Sequence, residues 1–119
     1  MPEAHCTVLW IDQVAVATLP PEIDISIADA VRDELLAVVN QGAVALVADM
    51  SKTMFCDSAG VRALVRTFRR ATESSTKMRI VVGTLAVERV LQITGVDRLI
   101  ETYPNVAAAL GSSSKGGGG

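Results

Sequence analysis

Residues 43–71 read AVALVADMSKTMFCDSAGVRALVRTFRRA, and the two ends of this stretch carry different periodicities. The run Ala43-Val44-Ala45-Leu46-Val47-Ala48 has no polar residue before Asp49, as expected of a strand buried on both faces. After a short link, Val61, Leu64, Val65 and Phe68 fall at i, i+3, i+4 and i+7, which is one face of a helix. Arg62, Arg66, Arg69 and Arg70 lie off that face and are expected to meet water. Asp57 and Ser58 stand where the helix begins, and both residue types accept bonds from a helix's unpaired first amides. A serine hydroxyl is therefore expected at a strand-loop-helix junction, where free amides and the helix dipole favour an anion. On these residues alone, a plain cap explains Ser58 better than chemistry does.

The rest of the composition bounds the setting. A chain of 119 residues suits one domain with a single core. Half of it is hydrophobic and only 3% aromatic, an aliphatic core suited to parallel strands under helices. No apolar run approaches the roughly 20 residues of a membrane span, and Met1-Pro2-Glu3-Ala4-His5 lacks the basic start of a secretory signal. A cytoplasmic protein is expected. Cys6 and Cys56 are too few for a disulfide framework and have no metal-type spacing, so neither a metal nor another cofactor is expected. Cys56 beside Asp57 reads as a small hydrophobe rather than a redox handle, since an acidic neighbour disfavours the thiolate. His5 stands alone, and hydrolase chemistry lacks a nucleophile-base pair.

The net charge of −2 conceals an asymmetry. Residues 1–57 hold nine acids against Arg32 and Lys52, a net of −7, and residues 58–119 hold nine bases against four acids, a net of +5. The basic half has no interleaved aromatics, which argues against nucleic acid and for a surface that orients a protein partner.

In chain order, Cys6–Ile11 and Val14–Leu19 read as strands around a possible Asp12-Gln13 turn. Pro20-Pro21 stops the pairing, and Ser26 with Asp29 is a capping signal for a helix facing inward through Val31, Leu35, Val38 and Val39. Gly42 suits a left-handed residue after that helix. Beyond the basic helix, Arg79–Gly83 reads as a buried strand and Thr84 caps a helix whose inner face is Val87, Val90, Leu91 and Thr94. Gly95 closes that helix. Leu99–Thr102 reads as an edge strand, followed by a short helix from Val106 to Leu110. The order β-β-α-β-α-β-α-β-α predicts an α/β fold with a mixed, mostly parallel sheet. Sites on such sheets favour the carboxyl ends of strands, where Asp49 and the 50–60 loop are expected, with Asp24, before the first helix, on the same edge.

Three motifs in this order carry a family resemblance. Glu22-Ile23-Asp24, then Leu46-Val47-Ala48-Asp49 leading to Asp57-Ser58-Ala59-Gly60-Val61, resemble the bacterial anti-sigma-factor antagonists. Residues 91–99, LQITGVDRL, resemble their later L-x-x-T-G-hydrophobic segment. These proteins are STAS domains, and the resemblance spans Cys6 to Leu110. It implies a single STAS-like domain over residues 1–110, while the Gly/Ser-rich composition of 111–119 predicts a flexible tail. It also implies that Ser58 is phosphorylated and that Asp24, Asp57, Ser58, Ala59 and Gly60 bind the partner. That partner would be an anti-sigma factor of the GHKL serine kinase type. The unphosphorylated domain would capture it and free a sigma factor; phosphorylation would end the capture and a phosphatase would reset it. No enzyme activity, nucleic acid or membrane is implied. The same resemblance extends to STAS subunits of lipid-transport complexes and to stress-signalling scaffolds. One departure is local: the family usually has glycine immediately before the acidic residue, where this chain has Pro20-Pro21 before Glu22.

Overall fold

The computed structural model describes residues 4–114, the last three as backbone alone. The strands are β1 (Thr7–Ile11), β2 (Val14–Thr18), β3 (Glu22–Ile23), β4 (Ala45–Met50), β5 (Phe55–Cys56), β6 (Lys77–Val82) and β7 (Glu101–Tyr103). The helices are α1 (Ala28–Asn40), α2 (Ser58–Glu73), α3 (Leu85–Thr94), α4 (Val96–Leu99) and α5 (Val106–Ser114). Five strands form one sheet in the order β1-β2-β4-β6-β7, with β1 antiparallel to β2 and every other pair parallel. β3 and β5 form a separate parallel pair.

β4 is central and every residue of it is buried, the apolar run Ala45–Ala48 and Met50 together with Asp49. Alternation along the strand sends Leu46, Ala48 and Met50 into a core shared with α1, α2, α3 and Val96. Val47 points the other way, toward Val16, Val81 and Ala109 of α5. The predicted inner faces hold: Val31, Leu35, Val38 and Val39 of α1 are buried, as are Val61 and Leu64 of α2, with Val65 and Phe68 partly covered. Arg62, Arg66, Arg69 and Arg70 are exposed. Asp12 takes a φ of 56° in the β1–β2 turn, a conformation aspartate tolerates without glycine. At the start of the chain, the Glu34 carboxylate accepts the amides of His5 (2.9 Å) and Cys6 (2.7 Å) and pins them to α1.

Several boundaries differ from the sequence reading. β4 begins at Ala45, because Val44 is half exposed and its amide bonds the Gln13 carbonyl at 2.9 Å. Thr94 faces solvent and its hydroxyl donates back to the Val90 carbonyl at 2.7 Å. Leu99 belongs to α4, and β7 starts two residues later, because Gly95 at φ 82° closes α3 and the chain coils again at once. α5 continues past Leu110 to Ser114, and residues 115–119 of the Gly/Ser-rich stretch lie outside the described residues. No described helix is long and apolar enough to cross a membrane.

Candidate functional site

The site is assembled at the carboxyl ends of the strands by the link between β4 and α2. The Pro20 carbonyl accepts the Thr53 hydroxyl at 2.9 Å, and the Pro21 carbonyl accepts the amides of Met54 (2.7 Å) and Phe55 (3.3 Å). These bonds lay β5 alongside β3, pairing Glu22 with Phe55 and Ile23 with Cys56. The Ile23 carbonyl then accepts the Asp57 amide at 3.1 Å, which sets the chain's entry into α2. Gly60 sits hard against this pair. A Cβ there would stand 2.6 Å from Cys56 Sγ and 3.0 Å from Ile23 Cγ2, so only glycine lets the first turn come so close.

Within that turn the two candidate caps separate. Asp57 Oδ1 accepts the amides of Ala59 (2.9 Å) and Gly60 (3.1 Å), making Asp57 the N-cap. Ser58 is the first helical residue, it is exposed, and its hydroxyl makes no hydrogen bond among the described residues. Capping therefore does not account for Ser58. Its hydroxyl is free at a helix N-terminus, where added negative charge is favoured.

Asp24 lies directly after β3, on the edge shared with Asp57. Its Oδ1 accepts both the hydroxyl and the amide of Ser26, the latter at 2.9 Å. The Ser26 hydroxyl, with the Ser26 amide second, holds the Asp24 carboxyl below the ordinary carboxylate range. The Asp24 carbonyl also accepts the amides of Ile27 (3.1 Å) and Ala28 (2.9 Å), so this turn, rather than a Ser26 side-chain cap, opens α1. Asp49 lies at the carboxyl end of β4, where the 50–60 loop begins, and its carboxylate is used within that loop. It shares the Val47 face of β4 by alternation, it is 8% exposed, and its Oδ1 accepts the Ser51 amide at 2.9 Å.

The site also has apolar neighbours that the sequence did not single out. Ile25, Met54 and Phe55 are 77%, 68% and 51% exposed around the β3–β5 pair. Leu85, equally bare, is drawn to the same loop because the Thr84 hydroxyl donates to the Thr53 carbonyl at 3.3 Å. Large apolar side chains left together in water mark a surface shaped for a partner. Their signal in the sequence was an apolar Met54-Phe55 in a link that otherwise reads as a loop. Cys56 beneath them is buried, and burial first, the Asp57 charge second, push its thiol up to about 11. It stays protonated and packs as a small apolar group. Among the described residues, no cluster of three or more His, Cys, Asp or Glu could hold a metal ion.

A family model described as the STAS domain matches residues 7–109, from the first residue of β1 into α5. The chain belongs to the STAS domain family. Among solved structures, an anti-sigma factor antagonist from Mycobacterium paratuberculosis is 30% identical, with a TM-score of 0.83 over 90% of this chain and 91% of that one. The anti-sigma factor antagonist SpoIIAA in its unphosphorylated form shares the fold at 18% identity, with a TM-score of 0.77 over 93% of this chain and 96% of its own. The Bacillus cell fate determinant SpoIIAA in its phosphorylated form is 16% identical, with a TM-score of 0.69 over 91% and 98%. No curated protein sequence matches. This STAS domain thus has the anti-sigma-factor-antagonist fold, with Ser58 at the mouth of its β4–α2 unit.

Proposed function

We propose that this STAS domain is an anti-sigma-factor antagonist switched by phosphate on Ser58. In the unphosphorylated state it binds an anti-sigma factor of the GHKL serine kinase type, which frees a sigma factor. The kinase transfers the γ-phosphoryl group of ATP to Ser58 Oγ, the bond to the β-phosphate oxygen breaks, and ADP leaves. A phosphatase later hydrolyses the phosphoester with water, which releases inorganic phosphate and restores the hydroxyl. The domain is a binding module rather than an enzyme. The observation that carries this reading is the division of labour at α2: Asp57 caps the helix and Ser58 keeps an exposed, unused hydroxyl. The exposed apolar residues around it and the acid at Asp24 supply a docking surface with Asp57, Ala59 and Gly60.

The switch is electrostatic and local. Phosphate adds about 1.5 to 2 negative charges near neutral pH, which the start of α2 accommodates without melting. A partner fitted to a neutral Ser58 beside Asp57 and Asp24 meets repulsion and a desolvation cost instead. Ser58→Asp is expected to melt like the wild type yet bind the kinase far more weakly, while Ser58→Ala still binds. Calorimetric titration beside thermal melts checks both. Phosphopeptide mapping after incubation with ATP and the kinase is expected to find Ser58 and to leave Ser26, Ser51, Ser74 and Ser75 unmodified. Phosphate entering Ser58→Ala at the wild-type level overturns the assignment, and the absence of any phosphate favours a lipid-transport subunit.

A further inference from the structure

α1 and α2 lie side by side on the sheet, and their outer ridges enclose two open hollows of about 680 Å³ and about 240 Å³. Arg32 and Arg66 line both, so the hollows form one groove running from Ala59 to Glu73, the length of α2. Its walls carry five arginines (32, 62, 66, 69 and 70) against Asp29, Asp33 and Glu73, a net of +2 on a chain of net −2. Arg32 is engaged by Asp29 at 3.3 Å and Asp33 at 3.1 Å, and Arg70 by Glu73 at 3.8 Å and Asn40 at 3.3 Å. The side chains of Arg62, Arg66 and Arg69 make no ion pair or hydrogen bond among the described residues. They are one helical turn apart, a spacing at which like charges weaken a helix. The stripe works against α2's own stability and in favour of an anionic occupant. Leu36 in the floor and Ile25 at the head of the groove, 77% exposed, add apolar footholds.

We propose that the α1–α2 groove is a second docking surface, which takes an acidic, partly apolar segment of a protein partner. Charge complementarity selects that occupant over nucleic acid. A phosphodiester strand is negative at every step and would meet Asp29, Asp33 and Glu73 in any register, with no aromatic side chain in the groove to stack a base. A peptide alternates its chemistry, placing carboxylates on Arg62, Arg66 and Arg69 and apolar side chains over Leu36 and Ile25. α2 has 16 residues and is about 24 Å long, a span that an extended peptide covers in about seven residues. Ser58 does not line the groove, which meets the first surface only at Ile25 and Ala59, and Arg62 stands one helical turn from Ser58, so the test uses the unphosphorylated chain.

The probe is a fluorescent peptide of alternating Glu and Leu, about seven residues long, titrated into the full chain and read by anisotropy and by the arginine Nε–H signals in NMR. Saturable binding is expected, with shifts at Arg62, Arg66 and Arg69. The Arg66→Glu/Arg69→Glu variant is expected to bind at least about tenfold more weakly, since it removes two ion pairs and adds two repulsions. Arg89→Glu/Arg98→Glu makes the same charge change outside the groove and is expected to bind as the wild type does. Raising salt from about 0.1 M to about 0.5 M, which shortens the screening length from about 10 Å to roughly 4 Å, is expected to weaken the complex. Three results overturn the proposal. One is absent binding, or binding that both variants weaken alike. Another is a single-stranded RNA of equal charge binding as tightly as the peptide. The third is a dimer in sedimentation that Arg66→Glu/Arg69→Glu abolishes, which assigns the groove to a second copy.

Discussion

Asp57 and Gly60 hold the first turn of α2 by different means, and Ser58 between them holds nothing. Asp57→Ala removes two charge-assisted bonds to amides and is expected to destabilise the chain by about 0.5–2 kcal/mol. Gly60→Ala forces a methyl into Cys56 Sγ and Ile23, and the displaced turn is expected to lose about 1–3 kcal/mol. Ser58→Ala is expected to stay within about 0.5 kcal/mol of the wild type, because its hydroxyl is unbonded at the surface. Urea midpoints of the three variants rank them. A Ser58→Ala variant as unstable as Asp57→Ala would mean that the hydroxyl shares the cap. The residue types at 57 and 58 were legible as cap formers, but their order of use was not. That choice follows from the Ile23 carbonyl, which receives the Asp57 amide and turns its carboxylate onto the helix.

At the scale of the element, α2 buries its face unevenly along its length. Leu64, in the middle, is 1% exposed inside the main core, whereas Phe68 is only partly covered, beside a hollow it shares with Thr72 and Leu99. Leu64→Ala is expected to cost about 2–5 kcal/mol, a large part of the roughly 5–15 kcal/mol that holds a domain together. Phe68→Ala is expected to cost less than Leu64→Ala despite the larger side chain. Denaturant melts of the two variants test the order, and a reversed order would place Phe68 deeper than Leu64. The helical period announced all four contact positions, since 3.6 residues per turn is a property of the chain itself. β3 and β5, two residues each, escaped because so short a run has no period to read. They exist because the Pro20 and Pro21 carbonyls bind Thr53, Met54 and Phe55 across a gap of more than thirty residues.

For the whole molecule, two buried thiols make stability fall in alkali. Burial, then the Glu34 charge, push Cys6 up to about 12, and burial, then the Asp57 charge, push Cys56 up to about 11, from an ordinary 9.0. Below pH 9.0 both states keep the proton and these groups contribute nothing to the pH dependence. Above it the unfolded thiols ionise first, so stability falls with rising pH until the folded thiols also lose their protons. Each thiol adds a slope approaching about 1.4 kcal/mol per pH unit in that window. Urea midpoints at about pH 8 and about pH 10 are therefore expected to differ less in Cys6→Ala/Cys56→Ala than in the wild type. Equal differences would show that the thiols titrate alike in both states. The sequence alone determined the layered α/β architecture, the central place of β4 and the helix start at Asp57-Ser58, because hydrophobic periodicity and capping act between near neighbours. Only the tertiary structure decided that the Asp49 carboxylate binds the Ser51 amide, that Ile25, Met54, Phe55 and Leu85 stay exposed, and that α1 and α2 enclose an arginine groove. The exposures and the groove depend on how segments far apart in the chain meet, set by strand order and crossover handedness, and no local run of residues encodes them.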